Sequence, residues 1–286
     1  MSCAASDGEP KVTMSKMVFY FFTTAALSVA LALVAYGWYV VRRSRVVGQA
    51  ATMFAGIATV ALALHLVFRW TAAAHAPWSN QFEFATAFAT AIMVGNVWAE
   101  RAYRDRRINL FIVPIALALL AYAATLPSTV KDPGPVIPAL QNNLLLTIHV
   151  SSAVAAYGVF AIAFAGAVIF LVQGGPRNRM AWLPEAAVAE DLAHRAVMVV
   201  VPLHALVLTL GAWWASIAWS RPWAWDPKET SALVTFLIYV LYLHARNQRG
   251  WRGTPAALVL IVGFGATLFT FFGNYFLGGL HTYSGL

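Results

Sequence analysis

The chain has 286 residues, 60% of them hydrophobic and only 10% charged, with a mean hydropathy of +0.69. Soluble domains carry about 25% charged residues, so this balance excludes an ordinary soluble protein and points to a polytopic helical membrane protein. The net charge of +8 would suit nucleic acid in a soluble chain, but here the basic residues lie in short connections between apolar runs. They read as topology signals, and no nucleic-acid partner is expected.

Residues 1–16 form a polar tail. The first apolar run, 17–41, is longer than the apolar region of a signal peptide and is followed by Arg42, Arg43 and Arg45; it predicts a retained span with its N-terminus outside. Further runs predict helices at 50–68, 82–99, 109–126, 144–173, 197–219, 230–246 and 254–273, most near the ~20 residues that cross a bilayer. The expected fold is all-α, a single membrane bundle over 17–286 with about eight transmembrane helices and both termini outside. Within the longest inner connection, 174–196, PEAAVAEDLAHR predicts a short amphipathic helix. On this arrangement thirteen of the nineteen Lys and Arg lie inside, in agreement with the positive-inside rule. The segments 70–81, 127–143, 220–229 and 274–286 then share the outer face. Cys3 is the only cysteine, so the chain has no disulfide framework, no C-x-x-C pair and no C-x-x-C-H haem attachment motif of its own.

The outer tryptophan-rich loop at 213–230 ends in WAWDPKET, Trp223 to Thr230. Asp226, Pro227 and Glu229 have the grammar of a helix start: an N-cap, a first-turn proline and a capping-box acid. Interfacial tryptophans are also common in membrane proteins. The density is less ordinary, because Trp213, Trp214, Trp219, Trp223 and Trp225 fall within thirteen residues. Such a shelf offers flat apolar faces to a planar ligand such as a porphyrin, with Asp226 beside it and Arg221 or Lys228 placed to meet carboxylates.

Imidazole is the usual protein ligand for haem iron. His149, near the outer start of the fifth run, and His281, after the eighth, lie on the shelf's side of the membrane. Each alone also has a structural reading, as an interfacial histidine bonded to a carbonyl. His244 lies near the inner end of the seventh run, where ligand and structural readings balance; His204 and His65, at membrane depth, favour the structural one. His194 is expected in a polar inner loop. His75 belongs to RWTAAAHAPWSNQFEF, in which Pro77, Ser79, Asn80 and Glu83 read as a turn and cap; this loop either covers the shelf or only connects two helices.

GAWWASIAWSRPWAWDPKETSALVTFLIYVLYLHAR resembles the tryptophan-rich "WWD" signature of the haem-handling proteins of cytochrome c maturation. Within them it is most similar to the CcsA type, also called ResC and in some naming CcsB. RW…HAPWSNQFEF, PALQ…HV at Pro138 to Val150 and GLH-x-Y at Gly279 to Tyr283 extend the resemblance from about Arg69 to the C-terminus. It implies a haem-binding component of a holocytochrome c synthase, or haem lyase, in a plasma or thylakoid-type membrane. Haem b would be bound as cargo at the outer face and presented, with a CcsB/ResB-like membrane partner, to the C-x-x-C-H motif of apocytochrome c. It implies His149 and His281 as external haem-iron ligands and His244 as a ligand within the membrane for haem arriving from inside, with haem transport through the bundle as an associated expectation. The chain departs from the family at Ser220 and Ala74, where glycine is usual, and at His204, where an aliphatic residue is usual. The alternatives are a haem-handling subunit of the multi-component maturation pathway and an unrelated membrane transporter, which would place its polar residues at the bilayer midplane.

Overall fold

The computed structural model describes residues 8–131 and 144–281. The PALQ segment up to Asn143, Cys3 and Tyr283 lie outside the described residues. In chain order the helices are α1 (Gly8–Arg42), α2 (Arg45–Ala73), α3 (Gln81–Tyr103), α4 (Asn109–Thr125), the short α5 (Ser128–Lys131), α6 (Leu144–Val172), α7 (Ala186–Ala218), α8 (Pro227–Arg249), α9 (Thr254–Phe272) and the short α10 (Asn274–Leu277). Among the described residues there is no strand, as expected where every backbone polar group in hydrocarbon must be satisfied within its own segment.

Seven of these helices are long and apolar enough to cross a membrane. The eighth long helix, α8, has 23 residues and at 1.5 Å per residue would reach about 35 Å. It falls short in apolarity: it begins with Lys228 and Glu229, ends with Arg246 and Arg249, and buries Ser231, Thr235, Tyr239 and Tyr242. Two predicted boundaries move substantially. Helix α1 starts at Gly8 rather than at residue 17. PEAAVAEDLAHR is not a separate helix; from Ala186 it forms the first turns of α7, without a break before the span. His194 accordingly sits on α7 and faces Tyr242 of α8, with ring centroids 6.1 Å apart, not in a loop.

Helix α1 packs along α2, α3 along α4, α6 along α7 and α8 along α9, while α3 and α9 both pack against α6 and join the pairs into one bundle. Small residues let backbones approach: a Cβ on Gly158 of α6 would lie 2.6 Å from that of Ala91 on α3, and one on Gly166 would lie 2.7 Å from the carbonyl of Ala189 on α7. Close packing of this kind is what holds helices together in lipid, where hydrophobic burial distinguishes little. A smaller apolar cluster at one end of the bundle, separate from the main core, unites Ala87, Leu146, Val150, Val154 and Trp214, with Trp78, Phe84 and Trp219 packed around it. It is the base on which the candidate site stands.

Candidate functional site

The turn that precedes α8 follows the sequence closely. Asp226 Oδ1 accepts from the Lys228 N–H at 2.9 Å and from the Glu229 N–H at 3.2 Å, and Glu229 Oε2 reaches back to accept from Asp226 N at 3.3 Å and Ala224 N at 2.8 Å. This capping box fixes the chain between α7 and α8 and satisfies donors that α8 leaves exposed at its start. Two residues in the turn, Ser220 at φ 56° and Trp225 at φ 55°, adopt the left-handed conformation that side chains resist, and Ala74, which caps the C-terminus of α2, does so at φ 58°. Ser220 and Ala74 are the two positions where glycine was expected.

The same Asp226 carboxylate has a third duty. Its Oδ1 accepts from His281 Nδ1 at 2.9 Å, and its Oδ2 accepts from the His281 backbone N–H at 3.4 Å. Gly279 makes the approach possible, since a Cβ there would lie 2.5 Å from Asp226 Oδ2 and the backbone has φ +140°. Asp226 lies outside the membrane-spanning segments, and its ionisation reflects opposed effects. Burial opposes the charge, but the hydrogen bond and charge of His281 and the two backbone N–H donors outweigh it, holding the carboxyl at about 2. The carboxylate is therefore an acceptor, and His281 Nδ1 donates to it.

His149, on α6, is braced in a parallel way. Its Nδ1 donates to the carbonyl of Val207 on α7 at 3.1 Å, since a carbonyl can only accept. The ring sits directly over Gly211, where a Cβ would lie 2.8 Å from His149 Cε1. Any other residue at 211 would push the imidazole out of place.

His149 and His281 both line one open-sided cavity of about 1090 Å³, counting the solvent at its mouth. Trp214, Trp219 and Trp223 line it, as do Lys228 and Glu229 from the first turn of α8. Trp219 meets the His281 ring edge-on at 4.9 Å and Trp214 at 4.7 Å, so the indoles and the imidazole form one aromatic wall. Lys228 Nζ stands 5.2 Å over the Phe84 ring, a cation in a mostly apolar chamber that Glu229 and the two imidazoles also line.

The structure does not bring every expected residue to this place. Trp213 is 61% exposed and Trp225 70% exposed; neither lines the cavity, and nor does the exposed Arg221. Successive helical residues point about 100° apart, so of Trp213 and Trp214 only the second, 2% exposed, faces inward. Asp226 is not a lining residue but the support behind one. His244 lies about 25 Å along α8 from Pro227 at 1.5 Å per residue; it is exposed, on the side of the helix away from its buried residues Tyr242 and Ala245.

The remaining histidines have local partners. His65 Nδ1 donates to Val18 at 3.0 Å between the rings of Phe22 and Phe82, His75 Nδ1 to Ala76 at 2.9 Å, and His204 Nε2 to Ala232 at 3.1 Å, all to backbone carbonyls. Sequence reasoning did not single out Gly211 or Val207, which hold His149, nor Trp78 and Phe84, which line the cavity from the α2–α3 side. The signals for the latter pair were the reading of their loop as a cover for the shelf and the resemblance of HAPWSNQFEF to the family, neither of which named them.

Two imidazoles, each held through Nδ1, line one chamber. Metal-ligating histidines are generally held in this manner, by a carboxylate or a carbonyl on the other nitrogen. Among the described residues no group of three or more His, Cys, Asp and Glu is gathered as for a bare ion, and a pair of imidazoles suits an iron whose other four donors come from a macrocycle. The chamber's lining fits haem: aromatic walls could pack on the ring, the two imidazoles could hold its iron, and the Lys228 ammonium could meet a carboxylate.

A family model described as cytochrome C assembly protein matches residues 11–281. A protein of Prochlorococcus marinus described as cytochrome c biogenesis protein CcsA is 33% identical, over 78% of this chain and 80% of its own length. One of the same description from Chlamydomonas reinhardtii is 31% identical over 80% of this chain and 66% of its own, and one from Gloeobacter violaceus is 28% identical over 92% and 94%. Among solved structures, one titled cytochrome c heme lyase CcmF superposes on the whole of this chain with a TM-score of 0.63 at 19% identity. The two share a fold, and this chain spans 51% of the length of that one.

Proposed function

The chain belongs to the cytochrome c assembly protein family, and on that premise we propose that it is the haem-binding membrane component of cytochrome c maturation, holding haem b as cargo in the outer cavity and presenting it to apocytochrome c. The observation that carries this reading is the paired bracing of His149 by Val207 and of His281 by Asp226 around one chamber. In the reading, His149 Nε2 and His281 Nε2 bind the iron, Trp214, Trp219 and Trp223 pack against the ring, and Lys228 neutralises a propionate. Haem supplies the vinyl groups: each accepts an S–H of the C-x-x-C-H motif across its double bond, forming a thioether with nothing left over.

This chain's residues then act by position, bringing the vinyl edge and the thiols together and keeping water from the ring faces. None has to serve as nucleophile or general base. His281 is the ligand we assign to exchange with the histidine of the substrate's motif, because it sits on the chain's terminal segment while His149 is locked between two long helices. His244, exposed on α8, is proposed as a ligand for haem arriving from the inner side, where another axial ligand would come from a CcsB/ResB-like partner.

The test is a maturation assay: the chain is expressed with a ResB-like partner and a C-x-x-C-H reporter, and covalent haem on the reporter is measured. Wild type should give holocytochrome and the His149→Ala, His281→Ala double variant should not. Equal yields from the two would refute the assignment.

A further inference from the structure

A buried charge pair in the α2–α3 connection plays no part in the iron site. Arg69, near the end of α2, donates from Nε to Glu83 Oε1 at 2.7 Å, and the two side chains are 4% and 0% exposed. Such a pair is expensive to desolvate, and well-packed apolar residues of the same volume often do as well for stability. Stability alone therefore does not account for it. The second oxygen of Glu83 offers another reason: Oε2 accepts from Ser79 N at 2.7 Å and from Ser79 Oγ at 2.8 Å. One carboxylate oxygen is tied to α2 and the other to the loop, one residue from Trp78. On the other side of Glu83 is Phe84. Trp78 and Phe84 both line the cavity and both pack on the smaller cluster around Trp214.

We infer that the Arg69–Glu83 pair is a positioning device that holds Trp78 and Phe84 as a wall of the cavity. The ligand is thereby gripped by aromatic residues from two segments, the α2–α3 connection and the α7–α8 turn, rather than resting on one open shelf. The inference takes the identity of the ligand from the proposed function, but the anchoring is a property of the protein alone. Without the carboxylate, the 74–80 loop keeps only short-range bonds such as Trp78 N–H to the Ala76 carbonyl at 2.8 Å, and the left-handed Ala74 favours its release.

The experiment uses the full chain carrying Arg69→Met with Glu83→Leu, which removes both charges while keeping volume, and reads two quantities. The first needs no haem: amide exchange at Ser79 should quicken by about tenfold or more while exchange in α6 and α9 is unchanged. The second is transfer of bound haem to apomyoglobin, which should quicken by about tenfold both in the paired variant and in Trp78→Ala, with no further gain when the two are combined, because they act through one wall. Ser79→Ala removes one arm of the contact without touching a helix, and gives a smaller shift in the same direction if the paired variant does not fold. Unchanged exchange at Ser79 overturns the anchor. A loosened loop with unchanged haem transfer, or effects that simply add, overturns the wall. If wild type retains no haem, the haem reading fails instead, and the Ser79 exchange alone decides the anchor.

Discussion

The histidines at the two ends of this bundle are held in different ways. At the end where α8 begins, His149 and His281 each spend Nδ1 on a fixed acceptor, each stands against a glycine or a glycine-bearing turn, and both line one chamber. Near the end of α8, His244 projects from the exposed side of that helix, away from the residues it buries. The difference teaches what marks a ligand site within one chain: the imidazole matters less than the acceptor that sets its tautomer and the missing side chain that makes room for it. By that measure His149 and His281 have the support of a ligand pair within this chain, and His244 does not.

The most severe way to break the outer arrangement is Gly211→Val. Its side chain would occupy the space of His149 Cε1, which lies 2.8 Å from even a Cβ, and should lower haem retention by about a hundredfold, as losing the ligand would; retention near wild type in a spectral titration would show that the ring's seat is not essential. Asp226→Asn comes next. Asparagine still caps α8 but loses the charge that holds His281, so retention should fall by about tenfold.

The same variant tests the electrostatics in the absence of haem. The Asp226 carboxyl is depressed to about 2, so its contribution to stability is complete above about pH 4 and is lost as pH falls through about 2. The difference in melting temperature between wild type and Asp226→Asn should therefore close over that interval. A difference independent of pH would place the effect elsewhere. The smallest effects are expected at the two strained turns: Ala74→Gly and Ser220→Gly relieve left-handed backbone at φ 58° and 56° and should each stabilise by about 0.5–1 kcal/mol, net of the extra chain entropy of glycine. In a melting experiment that is about 1–3 °C for a chain of this size; a loss of stability would mean that the turns need those side chains.

Much of the frame was legible because apolar run length and helix-capping grammar are local properties. Asp226, Pro227 and Glu229 start α8 as their order predicts, and Asn80 caps α3 by accepting from the Glu83 N–H. The start of α7 was not legible, since PEAAVAEDLAHR is polar enough to read as a surface helix and nothing in it announces continuity with the span. At the site, the residue types carried the reading but not their directions. Density alone placed five tryptophans on the shelf, whereas helical phase turns Trp213 away from the chamber and an unusual backbone turn leaves Trp225 exposed. Asp226 looked like part of a binding surface and proves to be a cap and a histidine support at once. Gly211 and Trp78 were invisible as site residues because their importance lies in contacts made across the bundle, to His149 and to the cluster at Trp214.

The central claim is that one outer chamber binds haem through His149 and His281. Its most direct test is the absorption spectrum of the purified chain, compared among wild type, the His149→Ala, His281→Ala double variant, and His244→Ala. The account predicts a six-coordinate, bis-imidazole b-type spectrum in wild type, its loss in the double variant, and its persistence at the outer site in His244→Ala. A wild-type spectrum that survives removal of both outer histidines, or that vanishes only with His244, would contradict it.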